Sequence, residues 1–230
     1  MDRNTEMIYI YGDSIGGVSL VDYMGNDKRA VSAARVSLLN DELDGFDDEL
    51  DEGERRLLAF LAREQHTSPF EHSTVSVRIT CPLFVSKQIM RHRTFSFNEV
   101  SRRYTSKGLE FFIPETLRQQ AAKNLQCSTG DAVQDNSAAL AVYQDQVEAA
   151  FESYALLINA GVCREQARGV LPQCLYTEFY MSGNLLNWFK FLRLRLHPHA
   201  QPEVQAVAKA VLEFLRAHFP VTTELFINED

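Results

Sequence analysis

Arg91-His92-Arg93-Thr94-Phe95-Ser96-Phe97-Asn98-Glu99-Val100-Ser101-Arg102-Arg103-Tyr104 concentrates positive charge inside a 230-residue chain whose formal net charge is -8. From Lys87 to Lys107 there are six lysines or arginines and one acid, Glu99. An island of that sign in an acidic protein asks for an anion. Arginine dominates it, and the planar guanidinium fork suits two-point binding of phosphate oxygens better than the point charge of lysine does. A charge run is usually a solvated face. Here, however, Phe95, Phe97 and Tyr104 are interleaved with the charges, and Ser96 and Asn98 add hydroxyl and amide groups of the kind that recognise a ring or a sugar.

Arg-His-Arg, seven residues, then Ser resembles the signature of the flavin-dependent thymidylate synthases. The longer form, Arg-His-Arg-x-x-Ser-x-Asn-Glu-x-Ser-x-Arg-Tyr, is matched at all nine fixed positions, a far more specific signal than a short phosphate-loop pattern. The resemblance continues through Thr67-Ser68-Pro69-Phe70-Glu71-His72, Gln88, Arg168-Gly169-Val170-Leu171-Pro172 and Leu194-Arg195, in the family's order, from about Met7 onward. It implies an α+β fold, an antiparallel sheet flanked by helices in a single domain over residues 1–230, and a homotetramer whose sites draw on several chains. It also implies conversion of deoxyuridylate (dUMP) to thymidylate (dTMP). The methylene group would come from 5,10-methylenetetrahydrofolate and the hydride from FAD that NADPH has reduced.

On this resemblance FAD would lie against Ser68, Arg91, His92, Arg93, Glu99, Asn184, Leu185, Leu186 and Lys190, with Ser68, Glu99 and Asn184 supplied by neighbouring subunits. The nucleotide would lie against Gln88, Ile89, Met90, Arg91, Glu99, Val100, Ser101, Arg102, Arg103, Arg168 and Arg195, Val100 contributing backbone and Arg195 serving as the catalytic cation. No metal is implied. Two positions depart from the pattern: Leu186 stands where many members have arginine, and Lys190, which offers a replacement charge, stands where they have asparagine or histidine.

Composition sets the outer bounds. With 45% hydrophobic and 23% charged residues, 230 residues are enough to bury a core and suit one globular domain. No apolar run is long enough for a membrane span and residues 1–13 carry no signal pattern, so a cytoplasmic protein is expected. Cys81, Cys127, Cys163 and Cys174 show no C-x-x-C pairing and read as reduced thiols. None lies in the signature. Ser101 lacks an identifiable base to take its proton, so no covalent protein nucleophile is expected.

Periodicity places the motifs. Residues 7–11 read as a short strand and 27–39 as a helix. Residues 41–54, with nine acids, read as an exposed loop running into a helix over 54–64. Residues 73–81 alternate as the clearest strand, with Val75, Val77 and Ile79 on one face. Pro82 opens a helix expected to reach about Arg93, which would put Gln88 and Arg91 on one face. Residues 131–136 read as a loop. Residues 137–160 read as a long helix whose stripe of Leu140, Tyr143, Val147, Phe151, Tyr154 and Ile158 belongs to core or subunit interface. Shorter elements follow: a helix over 163–170, a strand over 175–181, a helix over 185–196 and a final helix over 202–218. Arg193 and Arg195 are two apart and face different ways on their helix; Arg195 is assigned to the site and Arg193 to solvent or an interface.

Two other histidine groupings, His66 with His72 and His197 with His199, lack a third ligand at metal spacing and read as packing or capping residues. A nucleic-acid-binding module would also use arginine with aromatic residues. An isoelectric point near 5.3 runs against it. A flavoprotein with another substrate is the remaining alternative, and a nucleotide assay separates it.

Overall fold

The computed structural model describes residues 7–38 and 49–227. Its centre is a five-stranded antiparallel sheet with strand order β1-β2-β3-β7-β4, built from β1 (Ile8–Tyr9), β2 (Gly17–Met24), β3 (Thr74–Pro82), β4 (Ser96–Glu99) and β7 (Tyr176–Asn184). Helices flank it, as the α+β expectation requires. β1 and β2 form a hairpin in the register Ile8↔Val18 and Tyr9↔Gly17. Its turn is closed by Asp13, whose carboxylate accepts from the amides of Ile15 and Gly16 at 2.9 and 3.1 Å. In β3 the alternation read from the sequence is realised: Val75, Val77, Ile79 and Cys81 are all buried.

The described residues gather into two compact units. The first takes the chain up to Ile79, Arg91–Asn98 and the chain from Tyr180 on; the second takes Thr80–Met90 and Glu99–Phe179. β3 and β7 each run through both, and the boundary also falls inside the signature.

In the first unit, α1 (Asp27–Arg35) starts where Asn26 accepts from the Arg29 amide at 3.0 Å. α2 (Glu52–Arg63) starts in a reciprocal capping box between Asp51 and Glu54. The acidic stretch ahead of it, over 41–48, lies outside the described residues. α6 (Leu185–Arg195) and α7 (Pro202–His218) follow the sequence reading, but α7 is not the last helix. α8 (Pro220–Ile227) comes after it. Asp27 anchors that helix, accepting from the Val221 amide at 2.8 Å and from the Thr222 amide and hydroxyl at 3.0 and 2.6 Å. Periodicity could not show this, because the capping carboxylate lies 194 residues upstream of the amide it serves.

In the second unit, α3 (Leu83–Ile89) is shorter than expected. Its last turn closes with the Met90 amide on the Ser86 carbonyl at 2.9 Å, so Arg91 lies beyond the helix. Gln88 and Arg91 therefore do not share a helix face, contrary to the expectation from their spacing. The expected loop over 131–136 is in part strand: β5 (Arg118–Gln120) and β6 (Ser128–Ala132) pair as a separate hairpin, and the loop is confined to residues after Ala132. α4 (Asn136–Asn159) begins at the Asp135 cap and is followed by Gly161 at φ 85°, a left-handed residue that ends it. Of its apolar stripe only Tyr154 is buried within the chain; Phe151 is 43% exposed, and Leu156, beside the stripe, is 69% exposed. α4 is not a core helix of the single chain.

Candidate functional site

The first half of the signature sits in the first unit as a turn between α3 and β4, marked by the Phe95 amide on the His92 carbonyl at 3.4 Å. Aromatic packing holds the turn. Phe95 is 7% exposed and meets the indole of Trp188 edge-on at 4.6 Å; His92 meets Phe191 at 4.9 Å. Trp188 and Phe191 are on α6, three apart and so on one face. Below them, Gly183 is a place where a side chain cannot go: a Cβ there would come within 2.4 Å of the Phe95 ring.

That packing brings His92 to Arg195. The Arg195 Nε–H donates to His92 Nε2 at 3.0 Å, so the imidazole is an acceptor at Nε2 and carries its own proton on Nδ1. Burial, with the neighbouring Arg195 guanidinium adding to it, pulls His92 down from the ordinary 6.5 to about 4. Burial also lowers Arg195 from its ordinary value. The outcome is a neutral imidazole orienting a half-buried cation. Arg193, two residues earlier, does point elsewhere: it is exposed, its Nε–H donates to the Phe226 carbonyl at 2.9 Å and its guanidinium lies over the Phe226 ring at 5.6 Å. It braces α8.

Several residues that the resemblance assigns to FAD adjoin this turn. Ser68, exposed, opens a short 3-10 helix (Ser68–His72). The carbonyl of the next residue, Ser73, accepts from the Leu185 amide at 2.9 Å, tying that segment to the start of α6. Asn184 caps α6 by accepting from the Asn187 amide at 2.9 Å, and the Asn187 carboxamide reaches the Thr94 carbonyl at 3.5 Å. Arg91, Arg93 and Lys190 are exposed. Leu185 and Leu186 are 1% and 5% exposed, so their side chains belong to the core, and the Leu185 amide is already taken up by Ser73. Exposed cations and a hydroxyl are a donor set that suits a dinucleotide with a diphosphate.

The second unit holds the other half. Glu99 Oε1 accepts from the Thr177 hydroxyl at 2.6 Å, and the Val100 amide donates to the Glu178 carbonyl at 2.9 Å, so that N–H is already engaged in backbone pairing. Ser101 to Tyr104 form a turn, with the Tyr104 amide on the Ser101 carbonyl at 3.0 Å and the Arg103 amide on Ser101 Oγ at 3.3 Å. Arg103 is exposed and its Nε meets Glu165 at 3.4 Å. Arg164 Nε reaches Ser106 Oγ at 3.5 Å, so α5 (Arg164–Ala167) borders the turn from two points. Arg168, exposed, follows directly on α5. Ile89 is fully buried in α3, while Gln88 and Met90 are partly exposed.

Three contributors were missed in the sequence. Arg164 lies four residues before Arg168, a spacing that signalled a shared face. Thr177, which orients Glu99, and Gly183, which makes room for Phe95, left no local signal because each acts on a residue at least 78 positions away.

Known proteins resemble this chain over most of its length. A family model described as thymidylate synthase complementing protein matches residues 19–221. A flavin-dependent thymidylate synthase from Thermus thermophilus is 41% identical over 211 residues, covering 92% of this chain and 75% of the relative. One from Treponema pallidum is 38% identical over 219 residues, covering 94% and 70%. Among solved structures, the UMP/dUMP methylase PolB from Streptomyces cacaoi bound with 5-Br dUMP superposes with a TM-score of 0.83 at 35% identity, over 96% of this chain and 97% of that one. By fold, then, the chain joins an α+β class that includes a nucleotide methylase. It belongs to the thymidylate synthase complementing protein family.

Proposed function

We propose that this chain is a flavin-dependent thymidylate synthase, methylating dUMP to dTMP with 5,10-methylenetetrahydrofolate as carbon donor and NADPH as the source of reducing equivalents. The observation that carries the reading is the pairing of Arg195 with a neutral His92 at 3.0 Å, a cation held in place by a buried aromatic cluster. A uracil ring activated for attack on the methylene donor develops negative charge, and a preoriented guanidinium stabilises that charge without reorganising. FAD, when bound, supplies the hydride. Arg91, His92, Arg93 and Lys190 would hold it through side chains, with Ser68, Glu99 and Asn184 supplied by neighbouring subunits and Leu186 contributing backbone.

Ser101, Arg103 and Arg168 bind the nucleotide phosphate, and Gln88 and Glu99 the base and sugar. No protein nucleophile takes part. The Ser101 hydroxyl accepts from the Arg103 amide at 3.3 Å, and among the described residues no carboxylate or imidazole is hydrogen-bonded to it to take its proton. Burial raises the thiols of Cys81 and Cys174, Cys81 with a further push from Glu99, so neither is a ready thiolate. The exposed apolar residues of α4 support assembly into a homotetramer that completes each site. No described helix is long and apolar enough to cross a membrane, and a cytoplasmic location is in keeping with that.

The test is to supply dUMP, 5,10-methylenetetrahydrofolate, FAD and NADPH to the purified protein and follow dTMP by chromatography. Turnover requiring all four is the expected result. A yellow protein that oxidises NADPH yet forms no dTMP would refute the reading. UMP offered in parallel tells whether the ribonucleotide is accepted, as the name of the Streptomyces cacaoi methylase says it is there.

A further inference from the structure

Arg102 and Arg103 are adjacent, equally charged and both assigned to the nucleotide by resemblance, yet their surroundings differ. Arg102 Nη1 donates to the Lys107 carbonyl at 2.6 Å, and Nη2 donates to the carbonyls of Gly108 at 2.8 Å and Tyr176 at 3.3 Å. Its Nε is buried and has no hydrogen-bond partner among the described residues; the same holds for the hydroxyl of Tyr154, a residue 3% exposed on α4. A guanidinium has five N–H donors. Three point at carbonyls and Nε–H is sealed from solvent, which leaves a single N–H on Nη1. Two-point binding of a phosphate needs a free pair of neighbouring donors, and neither edge of this guanidinium has one.

Arg103 is the opposite case. It is exposed, with its Nε at 3.4 Å from the exposed carboxylate of Glu165, a contact weak enough for a phosphate dianion to displace.

We propose that Arg102 is a positioning residue that closes the 101–108 turn on its own carbonyls, so that Ser101 and Arg103, and not Arg102, read the nucleotide phosphate. The proposal rests on the nucleotide site of the preceding section. Gly108 takes φ of 60° where the chain leaves this turn, in the left-handed region that favours glycine. Burial holds the Arg102 guanidinium below its ordinary pKa, in keeping with a cation enclosed by protein.

The experiment compares the FAD-loaded protein with its Arg102→Met and Arg103→Met variants. Affinities for dUMP and for deoxyuridine, the same ligand without phosphate, are measured by titration. Amide hydrogen exchange of residues 101–108 is followed without ligand. Arg103→Met should lower the dUMP-to-deoxyuridine affinity ratio about tenfold or more, the loss expected for a charge-assisted phosphate contact, with exchange unchanged. Arg102→Met should weaken both ligands by a common factor, keep the ratio within about twofold, and speed exchange across the turn. A ratio that collapses in Arg102→Met as it does in Arg103→Met overturns the proposal, and so does unaltered exchange. If Arg102→Met does not fold, Arg102→Lys replaces it; a lysine keeps the charge but cannot span three carbonyls, so faster exchange with a preserved ratio is again the expected result. A wild-type protein that binds neither ligand refutes the nucleotide reading, while the ligand-free exchange still decides whether Arg102 closes the turn.

Discussion

The two halves of the signature are held by different physics. Arg91–Asn98, in the first unit, hangs on buried aromatic rings: Phe95 against Trp188, and His92 against Phe191. Residues 99–108, in the second unit, are held by hydrogen bonds, chiefly the carbonyls that Arg102 collects. The first arrangement desolvates an imidazole and makes it a neutral acceptor for a cation. The second uses a cation as scaffolding. Charge in a sequence motif therefore has two meanings here, and packing decides which one each arginine has.

The largest contrast should appear in stability. Trp188→Ala removes a fully buried indole beneath Phe95 and should cost about 3–5 kcal/mol, while Tyr104→Ala, at a ring 79% exposed, should stay within about 0.5 kcal/mol. Denaturant unfolding measures both, and similar losses would erase the distinction between an aromatic nest and a polar turn.

Next comes activity. Arg195→Ala should lower kcat by roughly a hundredfold to a thousandfold with flavin still bound, as for loss of one preorganised charge-stabilising donor. Arg193→Ala should cost about 1 kcal/mol of stability through its bond to Phe226, with turnover per folded molecule preserved. Steady-state kinetics alongside flavin absorbance decides this; equal losses of turnover in both variants would mean that the two arginines do not divide the work by facing.

A smaller effect should follow Gly183→Ala, whose new methyl would force the Phe95 ring to move. The expected cost is about 1–3 kcal/mol, with kcat falling because His92 shifts with its neighbour. Thermal unfolding and kcat should drop together; a variant of wild-type stability and rate would show that the nest tolerates displacement.

The subtlest prediction concerns pH. The folded protein keeps His92 unprotonated down to about 4, whereas the unfolded chain takes up a proton near the ordinary 6.5. His92 therefore imposes no penalty above about 6.5, and as pH falls from there towards 4 the unfolded state is increasingly favoured. Protonation in the folded state also ends the acceptor role of Nε2 towards Arg195. Imidazole NMR should give a midpoint near 4 that moves up in Arg195→Ala; a midpoint at 6.5 in the native protein would remove the neutral-acceptor account.

Much of this protein was legible before folding was considered. Val75, Val77 and Ile79 announced β3 by alternation, and the nine fixed signature positions announced the family, because short-range periodicity and motif spacing are written in consecutive residues. The helix after Pro82 was read too long, since nothing local says that its hydrogen bonding stops at Met90. Only the tertiary structure decided that Asp27 would cap α8, that Gly183 would admit Phe95, that His92 would be neutral, and that Arg102 would be enclosed while Arg103 stayed exposed. Each of these depends on desolvation or on a partner distant along the chain, and both arise when remote segments pack, not from the order of neighbouring residues.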